Sequence, residues 1–254
     1  MKQVNTNKNK APLSPDLSIV VLCYKSGSEV KDFIYRIILD LRTNEFSDYE
    51  IILVGNYIPG SNDITPEIVK SLSANSKKIL YIAEPKPPGG MMGWDLRSGM
   101  DKARGKYILV IDGDGQMPVQ DIFKVYHKIK SENLDLVKTY RLKRGDNNWR
   151  KILSWCYNTI MNILFPGISS NDINSKPKVI KREKYLLLNL SDNGWCVDAE
   201  IMLKARKLDL KIGEMPTVFL GLQGKRRSFV RLPAIYEFIK FLTLYRIREW
   251  FKKS

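Results

Sequence analysis

The sequence predicts an α/β protein built on a doubly wound, mostly parallel central sheet whose N-terminal half is a Rossmann-like nucleotide-binding unit. Three observations predict it. From Leu17 onward, short runs dense in Ile, Val and Leu alternate with helical segments. The runs are nearly continuous in apolar residues, as strands covered by helices on both faces must be. The chain has 254 residues of which 44% are apolar, enough for a sizeable core in one large domain or two small ones.

Leu17–Cys23 (LSIVVLC) reads as the first strand. Glu29–Arg42 follows as an amphipathic helix, because Val30, Phe33, Ile34, Ile37, Ile38 and Leu41 recur at helical spacing. Tyr49–Gly55, Lys78–Ala83 and Lys106–Asp112 supply three more strands, separated by helices at Pro66–Ala74 and Trp94–Arg104. Strands alternating with helices in this way form parallel βαβ units. After Asp112 the rhythm loosens into a helix at Val119–Ser131, a strand at Asp135–Tyr140, a basic loop at Arg141–Arg150 and a long apolar helix at Lys151–Phe165. Pro177–Lys181, a helix at Trp195–Leu208 and a strand at Lys211–Leu220 close the domain. Residues 1–15 are expected to be a flexible tail, 16–225 the folded domain, and 226–254 a basic amphipathic C-terminal helix.

Forty-two Lys and Arg against 27 Asp and Glu give a formal net charge of +15. That excess predicts a polyanionic partner, whether nucleic acid, anionic lipid headgroups or phosphorylated small molecules. The single histidine, His127, excludes a histidine-rich zinc cluster and reads as part of a solvated helix face. Cys23, Cys156 and Cys196 are odd in number and far apart, which argues against a disulfide framework and for a reducing, cytoplasmic compartment. Met1–Lys10 is polar with no apolar run, unlike a signal peptide. The longest uncharged stretch, Ile152–Asn171, is broken by Pro166-Gly167 and makes a poor membrane span.

The segment richest in chemistry is Ile108-Leu-Val-Ile-Asp112-Gly-Asp-Gly-Gln116, a buried strand ending in two carboxylates two residues apart. In open α/β sheets ligands bind beyond the carboxyl ends of strands. One carboxylate can meet a ribose and the other a metal, with the glycines letting a ligand approach the backbone. Mg²⁺ and Mn²⁺ take oxygen ligands and bridge diphosphates, so Asp112, Asp114 and Gln116 form a half-site for either. A turn merely rich in Asp and Gly is the plainer alternative.

Asp112-Gly-Asp-Gly-Gln116 followed by Pro118 resembles the Asp-x-Asp-x-Gln…Pro signature of family 2 glycosyltransferases, closest to the branch of dolichol- and polyprenyl-phosphate mannosyltransferases. Tyr24, Gly93–Arg104, Thr139-Tyr-Arg141, Asp172–Lys178, Trp195…Asp198-Ala-Glu200, Glu214-Met-Pro216 and Gln223-Gly-Lys225 fall in the family's order. The resemblance implies a GT-A fold, a nucleotide-diphosphate sugar donor such as a GDP- or UDP-hexose, Mg²⁺ or Mn²⁺ at the Asp-x-Asp, and transfer with inversion. It makes Asp112 a donor-sugar or ribose contact that also faces the metal, Asp114 the principal metal ligand and Gln116 an accessory one. Tyr24, Asn56 and Arg97 fall to the donor side. Arg141 and Lys178 match positions that meet phosphates, and Gln223 and Lys225 join them. Asp198, then Glu200, match the place where neighbouring branches carry an acidic base, although carboxylates at a helix start are also favoured by its dipole.

The basic loop, with Arg141, Arg144 and Arg150, suits an anionic acceptor because arginine forks grip phosphate bidentately. Asn158 and Asn162 share a helix face, lining an acceptor groove or hydrogen-bonding in the core. A polyprenyl phosphate acceptor would be largely ionised at neutral pH and need no protein base. A sugar hydroxyl, the alternative acceptor, would need one. The tail alternates Arg226, Arg227, Arg231, Lys240, Arg246 and Arg248 with Phe229, Phe238, Phe241, Trp250 and Phe251. It is expected to lie on an anionic membrane surface at the inner, cytoplasmic face, or else to pack on the domain or on a partner subunit, which leaves a homo-oligomer open.

Two departures from the family pattern stand out. The usual Val-Asp-Asp-Gly-Ser after the second strand is Val54-Gly-Asn-Tyr57 here, with Asn56 offering an amide and Asp63 in a longer loop. Pro87–Gly93 replaces the usual Gly-Lys-Gly pattern, leaving Arg97 as the substitute cation. Donor identity is therefore open, and a homologue with lost activity is the alternative these changes allow. Nucleic-acid binding is the rival the charge suggests, but no recognisable motif supports it and no such partner is expected.

Overall fold

The computed structural model describes residues 14–144, 157–168, 170–220 and 232–251. Its centre is a seven-stranded sheet: β1 (Leu17–Leu22), β2 (Tyr49–Val54), β3 (Ile79–Ile82), β4 (Tyr107–Asp112), β5 (Leu136–Arg144), β6 (Lys178–Lys181) and β7 (Ile212–Phe219). The strand order is β3-β2-β1-β4-β6-β5-β7. Neighbours run parallel except β6, which is antiparallel to both β4 and β5. The expected doubly wound, mostly parallel sheet is what the chain forms.

The apolar runs act as the sequence required. Every residue of β1 is buried, and its side chains alternate between two cores: Leu17, Ile19 and Val21 on one face, Val20 and Leu22 on the other. Helices α1 (Glu29–Thr43) and α4 (Asp121–Ser131) cover the first face with Phe33, Ile34, Ile37, Ile122, Val125 and Ile129. Helices α3 (Met92–Lys102) and α7 (Val197–Lys207) cover the second with Leu96, Met100, Val197, Met202 and Leu203. Helix α2 (Thr65–Ser73) joins β2 to β3, and its Val69 lies in the first core.

Helix α3 lies close on the sheet because Gly99 has no side chain. A Cβ there would stand 2.4 Å from Val20 Cγ1 and 2.8 Å from Val54 Cγ2. Gly99→Ala is therefore expected to destabilise the protein by about 1–3 kcal/mol through overpacking, read as a lower denaturant midpoint at unchanged slope.

The later half departs from the sequence reading in two places. Strand β5 runs on to Arg144, into the expected basic loop, because β7 pairs with it in parallel from Leu136↔Ile212 to Arg144↔Phe219 across one irregularity. A short helix, α6 (Arg182–Leu188), stands where no element was expected. Helix α5 is described over 157–164, the end of the expected apolar helix. Arg150, Gln223, Lys225, the tail residues 226–231 and the N-terminal tail up to residue 13 lie outside the described residues.

Helix α8 (Leu232–Phe251) packs on the domain along one side. Leu242 is buried in the second core, Phe238 meets Tyr157 at 5.0 Å between ring centroids, and Tyr245 meets Phe165 at 5.9 Å. Arg206 bonds Glu249. The opposite side leaves Ile239, Lys240, Leu244, Ile247, Arg248, Trp250 and Phe251 exposed. His127 is exposed on α4, as expected.

Candidate active site

The topology itself selects the site. From β1 the chain winds outward to β2 and β3, then returns to place β4 on the other side of β1, so the winding reverses between β1 and β4. A crevice opens at such a switch point, beyond the carboxyl ends of the strands. The register pairs Leu22 with Asp112. The Asp-Gly-Asp-Gly-Gln turn therefore begins at the mouth of the crevice, beside Cys23 and Tyr24.

Glycine shapes this turn. Gly113 N–H donates to Leu22 O at 2.9 Å, and a Cβ on Gly113 would sit 3.0 Å from that same oxygen. Gly115 adopts φ +71°, which disfavours any side chain. Asp114 Oδ1 accepts from the Gln116 N–H at 3.0 Å, which fixes the turn. Asp112, Asp114 and Gln116 are all half-buried where β4 leaves the sheet.

Behind them lies a lattice of buried charges. Lys176, two residues before the start of β6, places its ammonium 3.5 Å from Asp112 Oδ1 and 3.0 Å from Asp198 Oδ2. Lys178 bonds the other Asp198 oxygen and donates to Ile173 O at 2.7 Å. Lys138 of β5 reaches Glu214 of β7 at 2.7 Å and Asp172 O at 2.6 Å. Arg141 grips Asp172 bidentately, at 2.6 and 2.9 Å. Burial pushes the Lys178 amine down to about 8, with Asp198 pulling against it. Burial would raise the Asp198 carboxyl, but Lys176 and Lys178 outweigh it and hold that group below its ordinary value.

Several residues expected at the ligand are thus turned inward. Asp198 is completely buried between two ammoniums, where a carboxylate makes a poor base. Both Glu200 oxygens are occupied by Ser191 and Asp192 backbone N–H groups and by Lys204, so it pins a loop. Arg97 holds the same loop through Ser191 O and Asn193 Oδ1. Lys178 and Arg141 face Asp198 and Asp172 within the lattice rather than standing apart as free phosphate grips. Asn158 Oδ1 accepts from Ile173 N–H at 3.1 Å. Asn162 lies nearby, 3.5 Å from Ser170 O. Both belong to the support of the 170–178 segment. Arg144 closes β5.

On the far side of Tyr24 a second buried pair, Lys86 and Asp95, went unread in the sequence. Their charged atoms lie 2.5 Å apart, and Lys86 also sits 3.8 Å from the Tyr24 ring centre. Asn56 is fully buried; its amide donates to Asp95 and Ser98 and accepts from Glu84 N–H. Burial raises the Asp95 carboxyl to about 6 against the pull of Lys86. Asp63 folds back to accept the Lys25 N–H at 3.2 Å, so the longer loop brings an acid to the β1 side of the crevice.

Residues 18–195 match the sequence profile of Glycosyl transferase family 2. The chain is a glycosyltransferase, and it belongs to that family. It is 27% identical to a dolichyl-phosphate beta-glucosyltransferase of Trichomonas vaginalis, over 94% of this chain and 76% of the relative. The dolichyl-phosphate beta-glucosyltransferase of Dictyostelium discoideum is 25% identical over 86% of this chain and 71% of its own. Among solved structures, mannosyl-3-phosphoglycerate synthase from Rubrobacter xylanophilus superposes with a TM-score of 0.68 at 18% identity, covering 94% of this chain and 75% of that one. Glucosyl-3-phosphoglycerate synthase from Mycobacterium tuberculosis, crystallised with Mn²⁺, UDP and phosphoglyceric acid, gives 0.65 at 20% identity, covering 91% and 78%. These likenesses establish the GT-A fold.

Proposed function

We propose that this glycosyltransferase moves a hexose from a nucleotide-diphosphate sugar to a polyprenyl phosphate, with inversion, using a divalent cation held by Asp112, Asp114 and Gln116. One observation supports the reading: the Leu22↔Asp112 register starts the oxygen-rich Asp-Gly-Asp-Gly-Gln turn at the switch point of a family 2 chain. The curated relatives that match it over most of its length are named for dolichyl phosphate. Carboxylate and amide oxygens without Cys or His suit Mg²⁺ or Mn²⁺. Such a cation, when bound, stabilises charge on the departing diphosphate.

The chain's own residues position and orient. Asp112 faces the crevice from the end of β4, the glycines admit the donor to the backbone, and Tyr24 walls the opposite side. A phosphate acceptor brings its own negative oxygen, so no protein base is needed, in keeping with Asp198 and Glu200 being committed to ion pairs and backbone N–H groups. Turnover is expected to rise with pH through about 6, as the acceptor's second proton leaves, and then to level off. A profile that keeps rising into the alkaline range would point to a hydroxyl acceptor instead.

The test is purified protein with Mn²⁺ or Mg²⁺, a panel of UDP- and GDP-hexoses, and dolichyl or undecaprenyl phosphate, read as radiolabelled glycolipid. No product from any lipid phosphate, with transfer to a sugar hydroxyl, would overturn the acceptor assignment.

The exposed side of α8 supports docking on an anionic membrane surface at the cytoplasmic face. Ile239, Lys240, Leu244, Ile247, Arg248 and Phe251 recur at three- and four-residue spacing and mix bulky apolar groups with cations. No described helix is long and apolar enough to cross a membrane. Co-flotation with phosphatidylglycerol vesicles is expected, and Trp250→Ser with Phe251→Ser, which face away from the core, is expected to release most of the bound fraction. Equal flotation of the double variant would remove α8 from the surface contact.

A further inference from the structure

The lattice behind the Asp-Gly-Asp turn contains one cation more than Asp198 requires. Lys178 alone, anchored by Ile173 O, already pairs with that carboxylate. A second buried ammonium beside an ion pair is unfavourable unless a second carboxylate compensates it. Lys176 has a side chain only 2% exposed, and the second carboxylate within reach is that of Asp112, at 3.5 Å. Its other contacts are Asp198 at 3.0 Å and Met92 Sδ at 3.4 Å. Lys176 and Lys178 therefore balance Asp112 and Asp198, two charges against two, and the balance is struck before any ligand arrives.

We infer that Lys176 is a built-in counter-charge to Asp112, a positioning residue that lowers the standing affinity of the Asp112/Asp114 site for a divalent cation. This rests on the metal site proposed above. With Asp112 compensated, an approaching cation meets one carboxylate charge fewer at the turn. The site then holds a cation firmly only when a diphosphate adds its own negative oxygens, so cation and donor enter together. Lys176 also orients Asp112, holding Oδ1 inward and leaving its side chain, 35% exposed, turned partly to the crevice.

The test is Mn²⁺ binding to the full chain without nucleotide, followed by electron paramagnetic resonance of free Mn²⁺. Lys176→Gln keeps an amide donor for Asp198 and removes the charge; Lys176→Met removes both. Each is expected to bind Mn²⁺ about tenfold more tightly than wild type or better, since a positive charge a few ångströms from the site has gone. Lys176→Arg, which keeps the charge, is expected to stay near wild type. Damage to the fold would loosen binding, so tightening separates this role from a structural one, and Lys176→Gln serves should Lys176→Met fail to fold. Unchanged or weaker Mn²⁺ binding in Lys176→Gln overturns the inference while leaving the metal site intact, provided Asp114→Ala still abolishes binding. If neither wild type nor any Lys176 variant binds Mn²⁺, the metal reading itself fails and this inference falls with it.

Discussion

Asp114→Ala is expected to lower glycolipid formation about 10³-fold, because a cation that stabilises a leaving diphosphate is worth several kcal/mol of barrier. The unfolding midpoint should move little. Asp114 is half-buried on a turn, outside the packed cores, and accepts the Gln116 N–H within that turn. Asp112→Ala should behave differently, since it also strips Lys176 of a partner at 3.5 Å. That variant is expected to lose both activity and stability. Measuring turnover at saturating Mn²⁺ alongside thermal melts of both variants separates the two roles. Asp114→Ala with wild-type turnover would end the metal assignment at this turn.

The fold and the position of the candidate turn at the end of β4 were legible in the sequence for a physical reason. A strand covered on both faces must be apolar throughout, so Tyr107–Ile111 announces itself, and the oxygen-rich turn that follows can only be where that strand leaves the sheet. What the sequence could not supply was direction. Asn56 and Arg97 have the hydrogen-bonding capacity a donor site needs, but their partners are Asp95, Ser98 and Glu84 in one case and Ser191 and Asn193 in the other. A residue type states what a side chain can bond, and only the packing states which groups stand beside it.

The charge lattice left a trace that could have been followed. Lys138 interrupts the apolar strand Leu136-Val-Lys-Thr-Tyr140, and Lys176 and Lys178 flank the run into Val179 and Ile180. A lysine within a buried segment requires an acid nearby. The identity of that acid depends on β6 inserting antiparallel between β4 and β5, which brings Asp198, Asp112 and Glu214 together from three distant elements. Helix α6 went unread for a different reason: seven residues ending in Tyr185-Leu-Leu-Leu188 are too few to display a helical period.

Asp198→Ala is expected to cost about 3–5 kcal/mol of folding stability, the usual penalty for removing one partner from a buried ion pair, and to lower the melting temperature by roughly 10 °C. Lys178 would keep only the Ile173 carbonyl, and Lys176 only Asp112 and a thioether. The pH dependence has a definite sign. Folding holds the Asp198 carboxyl below its ordinary 3.8, so its contribution is fully present above that value and disappears as pH falls through the lower, folded one. Wild type and variant should therefore differ most near neutrality and converge below pH 3.8. A general base would behave otherwise. Asp198→Asn would then abolish turnover with an unchanged melt and remove the acidic limb of the rate profile. The lattice predicts a lowered melt with the acidic limb retained, because the proton that matters belongs to the acceptor phosphate, and a stable but inactive Asp198→Asn would return this carboxylate to the catalytic machinery.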